Sequence, residues 1–221
     1  YAPIDKQGAY AEYLVVDANI VAPAPKSLDL LTAGAVPLAA TTAWQALTQG
    51  CQLKAGDKIL IHNAAGGVGS FAVQIAKHLG AYVIGTASAN KAQFVKDLGA
   101  DEFIDYRNQD FTEQVCDLDA VLAAVGGDDL LQRSLKVIKP HGHLVSLLEE
   151  IAPELATAQQ INYQRWWVIP NANDLRQISD LIDNGNIRVK IDSVFPMTDV
   201  HQAHALSESQ RAQGKIVLNM K

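Results

Sequence analysis

Cysteine is scarce in this chain: Cys51 and Cys116 are the only two among 221 residues. So thin a supply supports no disulfide framework, and a cytoplasmic protein with free thiols is expected. Positive charge is also in the minority. Lysine and arginine total 18 against 24 aspartates and glutamates, giving a net charge of -6 and a pI near 5.4, which argues against nucleic acid or an anionic membrane as a partner. No uninterrupted apolar run reaches the ~18 residues of a spanning helix, and no signal-like start is visible. Neither a serine–histidine–aspartate nor a cysteine–histidine nucleophile pattern stands out, and Cys51 has only Lys54 as a basic neighbour. What the chain does have is apolar material: 48% hydrophobic and 19% charged residues suffice for one large domain or parts of two.

The most informative stretch is 58–80. Ile59-Leu60-Ile61 suits a parallel strand buried on both faces, while Val68, Phe71, Ala72, Ile75 and Leu79 recur at helical spacing before a Gly80 cap. Between them lies Ala64-Ala65-Gly66-Gly67-Val68-Gly69, a turn almost without side chains. Such a turn lets the backbone approach a ligand, and the helix behind it offers free N–H groups and a positive dipole end to a pyrophosphate. A second apolar strand, Tyr82-Val83-Ile84, follows at once, as a βαβ unit requires. Ala64 stands where the usual fingerprint has its first glycine, so a plain strand-to-helix turn is the alternative. The flanking pattern favours a dinucleotide.

Residues 85–91 follow the second strand, where an acidic residue would hold the ribose 2′-hydroxyl of NAD. No acid is present. Thr86 borders this position, and Ser88 and Lys91 offer a hydroxyl and a point charge to a 2′-phosphate, which favours NADPH. The plainer possibility is that Ser88 or Asn90 caps a helix and Lys91 is a solvated charge. Alternation continues with strands at 102–104 and 119–123, a helix at 111–115, a helix at 128–137, a turn at 139–142 and a strand at 143–148. Val125, Gly126 and Gly127 lie just past a strand's carboxyl end, where open α/β sheets bind ligands, and should border the riboses. An α/β Rossmann fold with a doubly wound parallel sheet is therefore predicted. After a weakly patterned connection at 149–164 come a helix at 175–182, a strand at 189–195, a helix at 200–206 and a final strand at 215–220. Upstream, residues 8–16 alternate like a strand, Pro37 reads as a break and 39–47 as a helix closed by Gly50.

Six motifs occur in order: Gly8-Ala9-Tyr10-Ala11-Glu12-Tyr13, Thr42-Ala43-Trp44-Gln45-Ala46-Leu47, the glycine turn, Leu98-Gly99-Ala100-Asp101 with Ile104-Asp105-Tyr106, Val125-Gly126-Gly127, and Gly214-Lys215-Ile216-Val217-Leu218. Together they resemble the zinc-free quinone oxidoreductase branch of the medium-chain dehydrogenase/reductase superfamily, over almost the entire chain. The resemblance implies that residues 1–37 end a β-rich GroES-like catalytic domain most of which would precede Tyr1. Residues 38–166 would be the NADP-binding Rossmann domain and 167–221 the return of the catalytic domain. It implies that Ser88, Lys91 and Tyr106 surround a 2′-phosphate, that Ser146 and Leu147 end a strand near the nicotinamide, and that Thr42 lies beside that ring in a positioning role. Asp105 stands where relatives have asparagine, and its carboxylate is expected to point away from the phosphate. Residues 165–169 match a segment bordering the active site and dimer edge, so a homodimer is implied, with ordinary packing as the plainer role for Trp166 and Trp167.

The activity implied is hydride transfer from NADPH to a quinone or an α,β-unsaturated carbonyl, with small molecules as the substrates. A non-catalytic NADPH-binding relative, crystallin-like or regulatory, and an enoyl reductase module are the alternatives. Zinc enzymes share the superfamily, but His141 with His143 and His201 with His204 have no cysteine or carboxylate cluster to complete a site. The four close cysteines of a structural zinc lobe are missing, and the position of a catalytic zinc ligand in relatives is taken here by Leu38. No metal site is expected.

Overall fold

A strand whose successive residues are all apolar needs cover on both faces, and β1 (Lys58–His62) has it: Ile59, Leu60 and Ile61 are each 0% exposed. The computed structural model describes residue 1, residues 8–127 and residues 129–220. In it β1 is joined by β2 (Tyr82–Ala87), β3 (Glu102–Asp105), β4 (Leu118–Ala123), β5 (Ile138–Ser146) and β6 (Asn162–Arg165) in one sheet of order 3-2-1-4-5-6. All its neighbours are parallel. This is the doubly wound order, whose switch point falls between β1 and β4.

Helices cover both faces. α1 (Leu30–Gly34) and α2 (Pro37–Gln45), the latter running into a π-helical turn at Ala46–Gly50, precede the sheet. α3 (Gly69–His78), α4 (Ala92–Asp97), α5 (Phe111–Gln114), α6 (Leu130–Leu135) and α7 (Pro153–Thr157) link its strands in turn. Because side chains alternate along a strand, Ile59 and Ile61 join a core with Phe71 and Ile75 of α3, while Leu60 joins the opposite core with Phe111, Leu131 and Leu135. α8 (Ala172–Asp183) and α9 (Val200–Glu208) then accompany a two-stranded parallel sheet, β7 (Ile191–Pro196) with β8 (Lys215–Asn219).

Two buried glutamines, on α2 and α3, attach this last third to the helices that cover the large sheet. Gln45 donates to Ile169 O (2.8 Å) and accepts from Ile169 N (2.9 Å), and Gln74 treats Arg188 O and N in the same way at 3.0 and 2.8 Å. Each amide satisfies both backbone groups of an irregular residue, as buried polar groups require.

Several expectations are corrected. Residues 8–16 form no strand; Tyr13 and Val15 are 90% and 88% exposed. An alternating segment becomes a strand only when a neighbour takes up its backbone groups, and no described residue does so. Residues 139–142 are not a turn but part of β5, where the pairing register shifts between Leu118 and Ala120 and His141 takes φ 68°. The connection at 149–164 contains α7 and β6. The break read at Pro37 falls between α1, which ends at Gly34, and α2, which Pro37 itself opens, since the first helical residue needs no N–H; the helix read at 39–47 therefore starts two residues earlier. Residues 2–7, Asp128 at the start of the expected helix 128–137, and Lys221 lie outside the described residues.

Candidate functional site

Where β1 ends, the chain turns through Asn63 to Gly69 and enters α3. Asn63 adopts φ 55°, its carbonyl accepts from Gly66 N (2.9 Å), and Ala64 N donates to Thr86 O (2.9 Å), which ties the turn to β2. Ala64 and Ala65 are fully buried. Gly69 is obligatory, because a Cβ there would overlap Asn63 O and lie 2.8 Å from Ala64 Cα. At Gly66 the room expected for a ligand is filled by Asn63, whose Nδ2 would be 2.5 Å from a Cβ. Gly67 is open by comparison: the nearest atoms would be Lys215 Cδ at 3.2 Å, then Gly214 O and Lys215 Nζ at 3.5 Å. Ser70 and Ala72 N–H groups bond the carbonyls of Gly66 and Val68, whereas those of Gly67 and Val68 have no backbone acceptor among the described residues. With the α3 dipole behind them, these donors fit the oxygens of a pyrophosphate.

The carboxyl ends of β2 and β3 border a cleft of about 510 Å³. Its lining brings Ser88, Lys91 and Tyr106 together, as expected, and adds Asn63, Asn90, Arg107 and Arg211, which the sequence reading missed. Arg107 was within reach of sequence reasoning, since it adjoins Tyr106. Arg211 was not: only folding carries the loop before β8 to this place. The Ser88 hydroxyl donates to Asn90 Oδ1 (2.7 Å) and makes no capping bond to the backbone. Lys91 Nζ donates to Ala212 O (3.0 Å), and burial holds its ammonium below the ordinary lysine range, against the opposing pull of Asp192. Arg107 Nε reaches the Tyr106 hydroxyl at 3.4 Å. Asp105 is 8% exposed and among the residues lining the cleft, its carboxylate turned onto Arg107 N (3.3 Å) and Asn108 Nδ2 (2.5 Å) of its own turn, donors that offset its repulsion for an anion.

Thr86 is buried, and its hydroxyl meets His62 Nδ1 at 3.2 Å. His62 Nε2 lies 3.2 Å from the Ser134 hydroxyl, which itself donates to Leu130 O (2.7 Å). Ser134 therefore accepts, placing the imidazole proton on Nε2 and making Thr86 the donor to Nδ1. Burial, aided by the Arg133 guanidinium, pushes the His62 pKa down to about 3. A neutral, doubly bonded ring thus supports the floor behind the glycine turn.

The remaining predicted residues lie outside the lining of this cleft. Val125 and Gly126 follow β4, where Gly127 N donates to Glu149 Oε1 (2.9 Å) and a Cβ on Gly126 would overlap that carboxylate. At the end of β5, Ser146 Oγ accepts from Glu149 N (3.2 Å) and Leu147 N donates to Ala123 O (3.1 Å). The half-exposed Thr42 donates to Leu38 O (2.7 Å) on its own helix. Among the described residues, no three His, Cys, Asp or Glu side chains gather as a metal would require, and no helix is long and apolar enough to cross a membrane.

A parallel sheet in this order, with a side-chain-poor turn after its central strand and a cationic cleft at its carboxyl edge, defines a dinucleotide-binding α/β protein. The zinc-binding dehydrogenase family matches residues 98–218, more than half of the chain. The chain belongs to that family, in the quinone oxidoreductase-like branch of the medium-chain dehydrogenase/reductases. It is 34% identical over 215 residues to the chloroplastic NADPH-dependent alkenal/one oxidoreductase of Arabidopsis thaliana, aligning 96% of this chain with 53% of that one. It is 32% identical over 231 residues to the quinone oxidoreductase of Pseudomonas aeruginosa, covering 96% of this chain and 71% of the relative. Among solved structures, Escherichia coli quinone oxidoreductase complexed with NADPH superposes with a TM-score of 0.80 at 29% identity, over 89% of this chain and 67% of that one. The chain thus spans about half the length of the first of these relatives and seven-tenths of the second.

Proposed function

We propose that this chain carries the cofactor-binding part of an NADPH-dependent oxidoreductase that reduces a quinone or an α,β-unsaturated carbonyl without zinc. The observation that carries the reading is the cleft beside β2 and β3, where Ser88, Lys91, Tyr106, Arg107 and Arg211 converge and the one carboxylate, Asp105, is hydrogen-bonded to its own turn. A 2′-phosphate suits that set; a bare 2′-hydroxyl does not need it. The glycine turn and the start of α3 would hold the pyrophosphate. When bound, NADPH supplies the hydride. The chain's part is to orient the cofactor, with Val125, Gly126, Ser146 and Leu147 bordering its nicotinamide half and Thr42 fixing the ring position.

Zinc independence is supported by Leu38 at the ligand position and by the lack of a donor cluster among the described residues. A homodimer built on the free edge of β6 is supported by Trp167 and Ile169 just beyond it, 68% and 65% exposed. The acidic charge and unpaired cysteines favour a cytoplasmic protein that binds neither nucleic acid nor membrane. The test is NADPH oxidation by the full natural polypeptide with a simple para-quinone, with and without a zinc chelator. Quinone-dependent turnover that survives chelation is expected. Turnover abolished by the chelator and restored by added zinc would overturn the zinc-free mechanism, and no turnover would leave the chain as a binding protein.

A further inference from the structure

The face of the large sheet that carries Leu60 and Ile84 is apolar until its carboxyl end, where it finishes in a polar pair. His62 stands two residues beyond Leu60 and Thr86 two beyond Ile84, so both side chains lie on that face, 2% and 3% exposed. Aliphatic side chains would fill the space without polar atoms to satisfy, whereas a buried imidazole is unfavourable unless its nitrogens are matched. Here both are. The Thr86 hydroxyl donates to Nδ1 and Nε2–H donates to Ser134, each at 3.2 Å, and Ser134 donates in turn to Leu130 O (2.7 Å). The ring also meets Phe111 edge-on, with centroids 4.8 Å apart and planes at 72°. It is held on three sides in one orientation and one tautomer.

The backbone pairing of β1 with β2 runs from Lys58 and Tyr82 to Ile61 and Gly85. Past it β1 leads into the glycine turn and β2 into residues 88–91, the places read for the pyrophosphate and the 2′-phosphate. Two ties cross between the chains at this level, and both end on Thr86. Its carbonyl accepts from Ala64 N (2.9 Å), and its hydroxyl bonds His62. On the other side Thr86 pairs with Ile104 of β3, the residue before Asp105. His62 does not line the cleft, and Ser134 anchors it to α6, which neither phosphate place includes.

We propose that His62 is a positioning residue for the dinucleotide: through Thr86 it fixes the separation of the glycine turn from residues 88–91, so that the pyrophosphate and the 2′-phosphate of one molecule engage together. The proposal rests on the NADPH reading and adds to it a residue that works from behind the site. Holding two subsites at a fixed spacing raises affinity for a ligand that spans both, because the second contact is then made at high effective concentration. A ligand that fills one subsite gains nothing from it.

Ligands of different reach test the role. NADPH spans both subsites, whereas ADP fills the first and 2′-AMP the second. Titration of the 221-residue chain should show His62→Leu weakening NADPH about fivefold or more while ADP and 2′-AMP stay within about twofold. His62→Asn, whose shorter carboxamide reaches the Nδ1 position but not that of Nε2, keeps an acceptor for Thr86 and should recover much of the NADPH affinity. Thr86→Val removes the same bond from the other partner, so its effect on NADPH should match that of His62→Leu, and the double variant should be no weaker than either. If His62→Leu does not fold, the comparison of Thr86→Val with His62→Asn carries the test. The positioning role is overturned if the folded variants bind NADPH as the wild type does, if NADPH and both fragments weaken equally, or if the two substitutions are additive. A wild-type chain that binds neither NADPH nor 2′-AMP overturns the cofactor reading itself, and the positioning role with it.

Discussion

At the carboxyl ends of β2 and β3, Lys91, Arg107 and Arg211 converge on one cleft; at the ends of β4 and β5, the polar groups are already bonded to one another. Thr42 bonds its own helix, Ser146 receives Glu149 N, and Glu149 also holds Gly127 N. The first region brings several cationic side chains onto one cleft, and the second has its polar groups bonded internally. The difference separates binding from chemistry. On the proposed reading, affinity and cofactor choice would be built into the residues at the ends of β2 and β3, whereas those at the ends of β4 and β5 would contribute shape and leave little to stabilise developing charge on a substrate oxygen.

The comparison breaks most severely at the turn. Gly69→Ala sets a Cβ against Asn63 O and should cost about 1–3 kcal/mol or more in thermal unfolding, because main chain cannot move aside as a side chain can. Gly67→Ala meets the flexible Lys215 side chain and, at an ordinary contact distance of 3.5 Å, Gly214 O, and should fold normally yet bind NADPH about tenfold more weakly. Should Gly67→Ala bind normally, the pyrophosphate does not approach that residue.

His62 should show next, through pH. Its native pKa is near 3 and its ordinary value 6.5. The unfolded chain therefore takes up the proton first as pH falls, so stability is unaffected above neutrality and is lost from pH 6.5 downward toward 3. Between pH 6.5 and 5 this one residue should remove roughly 2 kcal/mol. Denaturant unfolding of His62→Asn across that range should lack the corresponding slope; an unchanged slope would mean that the ring is protonated in the native state.

Lys91→Ala should narrow the preference for NADPH over NADH about tenfold with NADH affinity nearly constant, read by fluorescence titration. Smallest of all, Thr42→Val should change NADPH affinity less than about twofold, since its hydroxyl already bonds Leu38 O. A large loss of affinity there would erase the contrast between the two ends.

How much of this was legible in the sequence followed from how local each cause is. Ile59-Leu60-Ile61 and the period of α3 announced β1, the turn and the sheet type, because burial on two faces leaves no other pattern. Ser88 and Lys91 could be read because both stand in one loop at the end of β2. β6 could not, since an edge strand of alternating exposed and half-buried residues lacks an apolar signature. Nor could Arg211 be placed, for its arrival depends on contacts such as Lys91 to Ala212, 121 positions apart. The partners of Asp105 could not be read either, because its carboxylate answers to Arg107 N and Asn108, donors created only when the turn after β3 closes.

Parallel titration of the 221-residue chain with NADPH and NADH tests the central claim most directly, because it isolates the adenosine end and needs no substrate. The prediction is a dissociation constant for NADPH at least about tenfold below that for NADH, one charge-assisted contact to the 2′-phosphate being enough to produce it. Equal constants would contradict the assignment of the cleft beside β2 and β3 to that phosphate.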